Sequence, residues 1–169
     1  MGGCMDVPGN VTPFAEANII GDAKAADMVF RAGFNMILVG LDVTAKTFIT
    51  EKDLDDVERY CSEKSRGAVE YIRNALKCYF EFHRLTQGMV HQSFVHDPLA
   101  VLIAEDAALG EYKMFAAGVE YQAPAYEGMI LTDNRFMSEM DHDETAFCTR
   151  VDSAPAAYGR ILQEYQKVP

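Results

Sequence analysis

Apolar residues recur at helical spacing between residues 22 and 33, where Ala25, Ala26, Met28 and Val29 make one face, Asp22 is placed to cap the start and Gly33 to end it. One short helix is predicted there. Residues 35–41 (NMILVGL) instead form an unbroken apolar run, too short for a helix and suited to a strand buried on both faces. The segment EKDLDDVERYCSEK opens on acidic residues, which favour the positive end of a helix dipole, and predicts a second helix. Gly67 is expected to divide it from a longer helix over residues 68–85, in which Val69, Ile72, Leu76, Tyr79, Phe80 and Leu85 fall near helical spacing and read as core. After a loop at 87–93, FVHDPLAVLIA predicts a further helix with Pro98 at its first position and Asp97 before it as a cap. Residues 113–122, 128–133 and 145–151 read as strands, and a terminal helix is expected from about residue 154. The glycine-rich opening, residues 1–12, reads as a loop that Pro13 closes. Helix, strand, helices, strands and helix in that order imply an α/β architecture.

Composition narrows the class. The chain has 169 residues, 49% hydrophobic, enough to bury a real core, and nothing along it resembles a linker, repeat or low-complexity tract. A single domain over 1–169 is expected. The net charge of −11 argues against binding nucleic acid or an anionic membrane surface through bulk electrostatics, and suits a small neutral ligand or a cation. It is equally compatible with solubility alone. Cys4, Cys61, Cys78 and Cys148 are scattered with no CxxC pair and are expected to be reduced thiols. No apolar run has transmembrane length and no signal-peptide pattern opens the chain, so a cytoplasmic location is expected.

Candidate chemistry is concentrated in a few segments: MGG with GNVTPFAEAN within residues 1–18, GLDVT at 40–44, and VHDPLAV at 95–101. Taken alone, Asp97 reads as a helix cap, His96 as a partly buried histidine, Asn10 as a turn former and Glu16 as a solvated carboxylate. Glu16 and Asn18 lie two apart, so a helix would point them to different faces and an extended segment would let them converge. Asp141, His142, Asp143 and Glu144 read as a polar loop between strands, His91 with His96 and Asp97 fits no zinc spacing, and Gly2 and Gly3 form no phosphate-binding loop.

Together, in this order and with GMILTD at 128–133, these segments resemble the nucleoside hydrolase family that includes the inosine-uridine-preferring enzymes, and specifically its C-terminal half. The resemblance implies a partial Rossmann-like fold, with a mixed sheet and flanking helices, and hydrolysis of ribonucleosides to free base and ribose, as in purine and pyrimidine salvage. Such a reaction needs an activated water, stabilisation of an oxocarbenium-like ribosyl centre and help for a poorly leaving base. On that resemblance His96 matches the histidine that assists departure of the base, a role favoured by a pKa near neutrality. Asp97 matches a calcium-ligating aspartate, and calcium as cofactor would hold water and ribose hydroxyls through hard oxygen ligands. Asn10, Glu16 and Asn18 match residues that hydrogen-bond the ribose hydroxyls, and Met1 matches a methionine near the sugar. Tyr79 lies where family members place aromatic residues towards the base, against the competing reading of core packing; His83 and His91 have weaker claims.

The family's N-terminal motif of the form DTDPGxDD, which supplies the general base and further calcium ligands, has no counterpart in this sequence. Asp55-Asp56 and Asp141-x-Asp143 stand in the wrong order and context. Asp97 alone cannot supply the six to eight or so oxygens calcium takes, so weak calcium binding and impaired turnover are expected of the lone chain. Its opening inside MGG suggests a shortened chain or an internal start, with a split enzyme completed by a second chain as the alternative. A family sheet built from both halves would leave residues 35–41 uncovered, so a homo-oligomer or a partner chain is expected. A nucleoside- or sugar-binding module without turnover, and a vestigial interaction protein, are the competing functions.

Overall fold

The computed structural model describes residues 1–133, 135 and 144–151. In chain order its elements are α1 (Ala17–Gly21), α2 (Ala23–Phe30), β1 (Ile37–Leu38), α3 (Leu41–Thr44), β2 (Phe48–Thr50), α4 (Glu51–Tyr60), α5 (Arg66–Gln87), β3 (Gln92–Phe94), α6 (His96–Glu105), β4 (Gly110–Val119), β5 (Ile130–Asp133) and β6 (Glu144–Val151). The chain divides into two compact units, one formed by Met1–Ala45 with His96–Val151, the other described over residues 46–95.

The first unit is a mixed α/β structure. Its four-stranded sheet runs β1-β6-β4-β5, with β1 parallel to β6 (Leu38 opposite Phe147) and β4 antiparallel to both β6 and β5. The three late strands lie close to the segments that alternation predicts. The long β4 is central, and side chains from α1, α2 and the sheet build the core: Ile19, Ala23, Phe30, Leu38, Ala117, Val119, Ile130 and Phe147. Asp22 caps α2 as predicted, accepting from Ala25 N–H at 2.9 Å, and Gly33 takes a left-handed φ of 71° beyond its end. The buried face differs from the expected one. Ala23, Asp27 and Phe30 face inward while Met28 and Val29 are exposed. Asp27 is what rotates the helix: its buried carboxylate accepts from Val119 N–H at 3.0 Å and from Arg31 Nε at 2.7 Å, tying α2 to β4.

The strand predicted over 35–41 is shorter. Only Ile37 and Leu38 pair, Leu38 is buried and Ile37 remains 40% exposed, because β1 stands at the sheet edge. Gly40 already serves as the N-cap of α3, so Leu41 belongs to a helix rather than to the strand. In α6 the first helical residue is His96, which places Asp97 and Pro98 inside the first turn; the predicted cap at Asp97 is therefore displaced. Pro98 is tolerated there because the first-turn N–H groups have no intrahelical acceptor.

In the second unit Thr50 and Asp53 form a reciprocal capping box at the start of α4. The break before the long helix lies at Cys61 and Ser62, not at Gly67, which sits in the first turn of α5. Gly88, with φ 68°, ends α5 in the left-handed conformation. Val69 and Phe80 are buried as predicted, but Tyr79 is 57% and Leu85 68% exposed, so the core reading fails at both. Strands β2 and β3, which the sequence pattern does not announce, pair antiparallel with Phe48 opposite Phe94. The predicted helix from residue 154 lies outside the described residues.

Candidate functional site

The opening loop has no helix or strand, yet Gly2, Gly3 and Cys4 are buried. A loop can be buried only where its backbone polar groups find partners, and here two carboxylates supply them. Glu16, 2% exposed, is the N-cap of α1: its Oε2 accepts from Gly3 N–H at 2.9 Å and Ile19 N–H at 3.3 Å, and its Oε1 from Asn18 N–H at 3.0 Å. Asp42, in α3, accepts from Met5 N–H at 3.0 Å and Asp6 N–H at 2.8 Å. Main-chain bonds complete the clamp, Gly2 N–H donating to Val39 O at 3.2 Å and Leu41 N–H to Gly3 O at 2.8 Å. The MGG and GLDVT segments are thus one structural object. Glycine is required at two points of it. Gly3 has a φ of 74° and a Cβ there would stand 2.9 Å from Ile130; a Cβ on Gly40 would stand 2.9 Å from Gly3 O. Burial, with the charges of Asp42 and Glu16 behind it, pushes the Cys4 thiol above its ordinary pKa.

The predicted sugar-contacting residues lie around this clamp. Asn18 Nδ2 donates to the backbone oxygen of Met1 at 3.2 Å and approaches its Sδ at 3.3 Å, so two of the predicted residues touch. Asn10 Oδ1 accepts from Ala17 N–H at 3.0 Å, which binds the preceding loop to the first turn of α1. Asn10 and Asn18 are exposed and Met1 half-buried, whereas Glu16 is turned inward. Glu16 is extended (φ −91°, ψ 151°) and Asn18 already helical, so the pair diverges, one holding the loop and the other presented outward.

The VHDPLAV segment enters the same unit through His96. Its Nδ1 lies 2.8 Å from Oγ1 of Thr44, the last residue of GLDVT, which is fully buried. His96 is half-buried and Asp97 exposed. Among the described residues no group of three or more histidine, cysteine, aspartate or glutamate side chains could hold a metal ion. The described residues therefore assemble no calcium shell around Asp97.

Tyr79 belongs to the second unit, where its ring lies 5.9 Å from that of His83. His83 is buried, its Nδ1 2.8 Å from Ser93 Oγ, and burial holds its pKa below the ordinary histidine value. His91 is exposed and paired with Glu51 at 2.8 Å. Glu144 opens β6, while Asp141, His142 and Asp143 lie outside the described residues. A groove of about 1010 Å³ over β4, β5 and β6 is lined by Lys113, Thr132, Asp133 and Arg150 among others, and none of the predicted site residues borders it. Asp42 and Thr44 are the residues that sequence reasoning missed: GLDVT signals them as a motif, but their roles arise only from contacts with distant segments.

This fold recurs in enzymes that act on nucleosides. A plant nucleoside hydrolase matches it with a TM-score of 0.85 at 29% identity, over 99% of this chain and 52% of that one. A purine-preferring ribonucleoside hydrolase from Gardnerella vaginalis matches with a TM-score of 0.83 at 25% identity, over 100% of this chain and 52% of that one. In sequence, a probable uridine nucleosidase from Arabidopsis thaliana is 38% identical over 120 residues, which cover 71% of this chain and 36% of the relative. The model of the inosine-uridine preferring nucleoside hydrolases matches residues 1–156, and the chain belongs to that family. It spans about half the length of the solved structures it resembles.

Proposed function

We propose that this chain carries the ribose-facing and leaving-group-facing part of a ribonucleoside N-glycosidase site, for hydrolysis of a ribonucleoside to free base and ribose. The observation that carries the reading is the meeting, within one unit, of the three motif segments: Glu16 and Asp42 clamp the MGG loop, and Thr44 of the same GLDVT segment holds His96. In this reading Asn10, Asn18 and Met1 border the ribose. Glu16 fixes the loop through three backbone N–H groups and keeps one lone pair on Oε1 for a hydroxyl. His96 assists the departing base, and Tyr79 keeps its part in base recognition on the family resemblance alone. Asp97 supplies one carboxylate to a calcium ion, which when bound would hold water and sugar hydroxyls.

The lone chain is proposed to be impaired, since it has no DTDPGxDD motif to activate water. A preorganised loop clamp beside an incomplete metal shell favours, as a second reading, nucleoside or ribose binding without turnover. A cytoplasmic location and assembly as a homo-oligomer or with a partner chain remain part of the proposal, as does the absence of a nucleic-acid or membrane partner; no described helix is long and apolar enough to cross a membrane.

The test is release of base and ribose from inosine, adenosine, uridine and cytidine by the purified chain in excess calcium, beside His96→Ala. No release, with nucleoside binding retained by calorimetry, is the expected result. Release abolished by the substitution would show that acidic groups are supplied from elsewhere and would overturn the impairment; neither release nor binding would select a vestigial interaction protein.

A further inference from the structure

We infer that the solvent-facing stripe of α5 is the contact through which two copies of this chain pair, the two helices lying antiparallel across a two-fold axis. The inference stands apart from the hydrolase reading.

Helix α5 carries two apolar faces. Val69 and Phe80 are buried on one, with Ile72 and Leu76 half-buried between them. Tyr71, Ala75, Cys78, Phe82 and Leu85 lie on the other side of the helix, and all five are exposed, Tyr71 at 76%, Phe82 at 57% and Leu85 at 68%. Their steps along the chain alternate between four and three residues, the spacing that keeps one seam of an α-helix turned towards a second helix. A helix that covers a core needs one apolar face; a second one exposes aromatic surface without stabilising the unit. The stripe is about 21 Å long at 1.5 Å or so per residue. With about 200 Å² for each ring and less for the leucine, pairing it would bury roughly 500 Å² per copy, near the ~1,000 Å² total that a specific interface needs.

Charge and size identify the occupant. The chain as a whole carries −11, so two copies repel each other over most of their surface. Helix α5 departs from that balance, with Arg66, Arg73, Lys77 and Arg84 against Glu70 and Glu81. Along one flank of the stripe Lys77 donates to Asn74 Oδ1 at 2.9 Å, and further on Arg84 holds Glu81 at 2.7 Å. An antiparallel second copy that sets Tyr71 against Phe82 also brings Glu81 of each copy to the Asn74–Lys77 pair of the other, two attractive contacts related by the two-fold. The same register places Ala75 against Cys78 at the centre, where small side chains let the backbones approach, with an aromatic pair closing each end. Sliding one helix by a heptad would put Glu81 against Glu81. A parallel pair would turn Glu81 to the uncharged flank of Tyr79 and Thr86 and set the two helix dipoles side by side in the same sense. The stripe is thus complementary to itself in one orientation.

Sedimentation equilibrium of the full chain is expected to show a dimer. Phe82→Glu, which sets a carboxylate against Tyr71 of the second copy, is expected to weaken it by about tenfold or more. Val101→Lys, at an exposed apolar position on α6, is expected to leave it unchanged. Orientation is read by mixing two Cys78→Ser chains under mild oxidation, one also carrying Asn74→Cys and the other Glu81→Cys; a disulfide between positions 74 and 81 is expected. A monomer at all concentrations overturns the proposal and leaves the stripe to a different polypeptide. A dimer unmoved by Phe82→Glu, or lacking the link between 74 and 81, overturns it by placing the contact on another surface, and links joining 74 to 74 or 81 to 81 overturn the antiparallel seating. If Phe82→Glu does not fold, the disulfide pattern, formed with the rest of the seam intact, still decides. None of these outcomes depends on whether the chain cleaves nucleosides.

Discussion

Two buried carboxylates do the structural work that the opening loop cannot do for itself, and their geometry sets the outcome of single substitutions. Asp42 presents both oxygens to backbone donors, Met5 N–H and Asp6 N–H. An asparagine there offers one oxygen and turns its amide group towards the other donor, so two N–H groups meet. Asp42→Asn is expected to destabilise the chain by about 1–3 kcal/mol in urea unfolding, whereas Asp6→Asn, at an exposed position, is expected to stay within about 0.5 kcal/mol; equal effects would show that the clamp is not what holds the loop. Burial first, and the same pair of acids after it, oppose ionisation of the Cys4 thiol, although it follows two glycines in a candidate site. Glu16 illustrates the limit of a motif. Its place in the sequence predicts a ribose ligand, and its place in the structure is chiefly that of a cap whose acceptors are turned to Gly3, Asn18 and Ile19.

At the level of elements, the pairing of α5 with β3 makes a pH-sensitive contact. His83 lies buried beside Ser93 among the rings of Tyr79, Phe82 and Phe94, and burial depresses its pKa. The unfolded chain takes up a proton at the ordinary value of about 6.5, the folded chain only at a lower pH. The contribution of neutral His83 is therefore complete above about pH 6.5 and lost as pH falls through the depressed folded value. The urea midpoint of the wild type should fall more steeply on the acid side than that of His83→Gln; parallel profiles would exclude His83 as the cause. How far such elements can be read in advance depends on their length. Strands β4, β5 and β6 and helices α2 and α4 carry enough alternation, periodicity or capping to be placed within a few residues. The short β2 and β3 do not, because three residues hold too little pattern and their partners are distant in sequence. Helical spacing also put Tyr79 and Leu85 in the core, where the observed helix exposes both: periodicity predicts a face, and only packing decides how wide that face is. In the candidate site, the identities of His96, Asp97, Asn10 and Asn18 were legible as motif residues, while the Thr44 contact and the role of Asp42 were not, since each depends on a hydrogen bond between segments far apart in the chain.

For the molecule as a whole, the sheet edge is the feature with the widest reach. β1 has β6 on one side and no strand of the described sheet on the other, and its exposed Ile37 stands near the exposed Phe34. An open edge with apolar side chains is a template for another chain. Sedimentation equilibrium is expected to show concentration-dependent self-association that Ile37→Lys weakens; a monomer at all concentrations, or association unmoved by the substitution, would remove this edge as its origin. The parallel register of the same strand also sets an order of events during synthesis. Ile37 pairs with Ala146, so its partner leaves the ribosome much later than it does, on the order of ten seconds at elongation rates of about 5–20 residues per second. Through that interval the apolar run from Met36 to Val39 has no strand to join, whereas β2 and β3, only some forty positions apart, can meet early. A nascent chain of this kind makes its greatest demand on chaperones between the emergence of β1 and that of β6, and slowing translation within that window would prolong the exposure rather than relieve it.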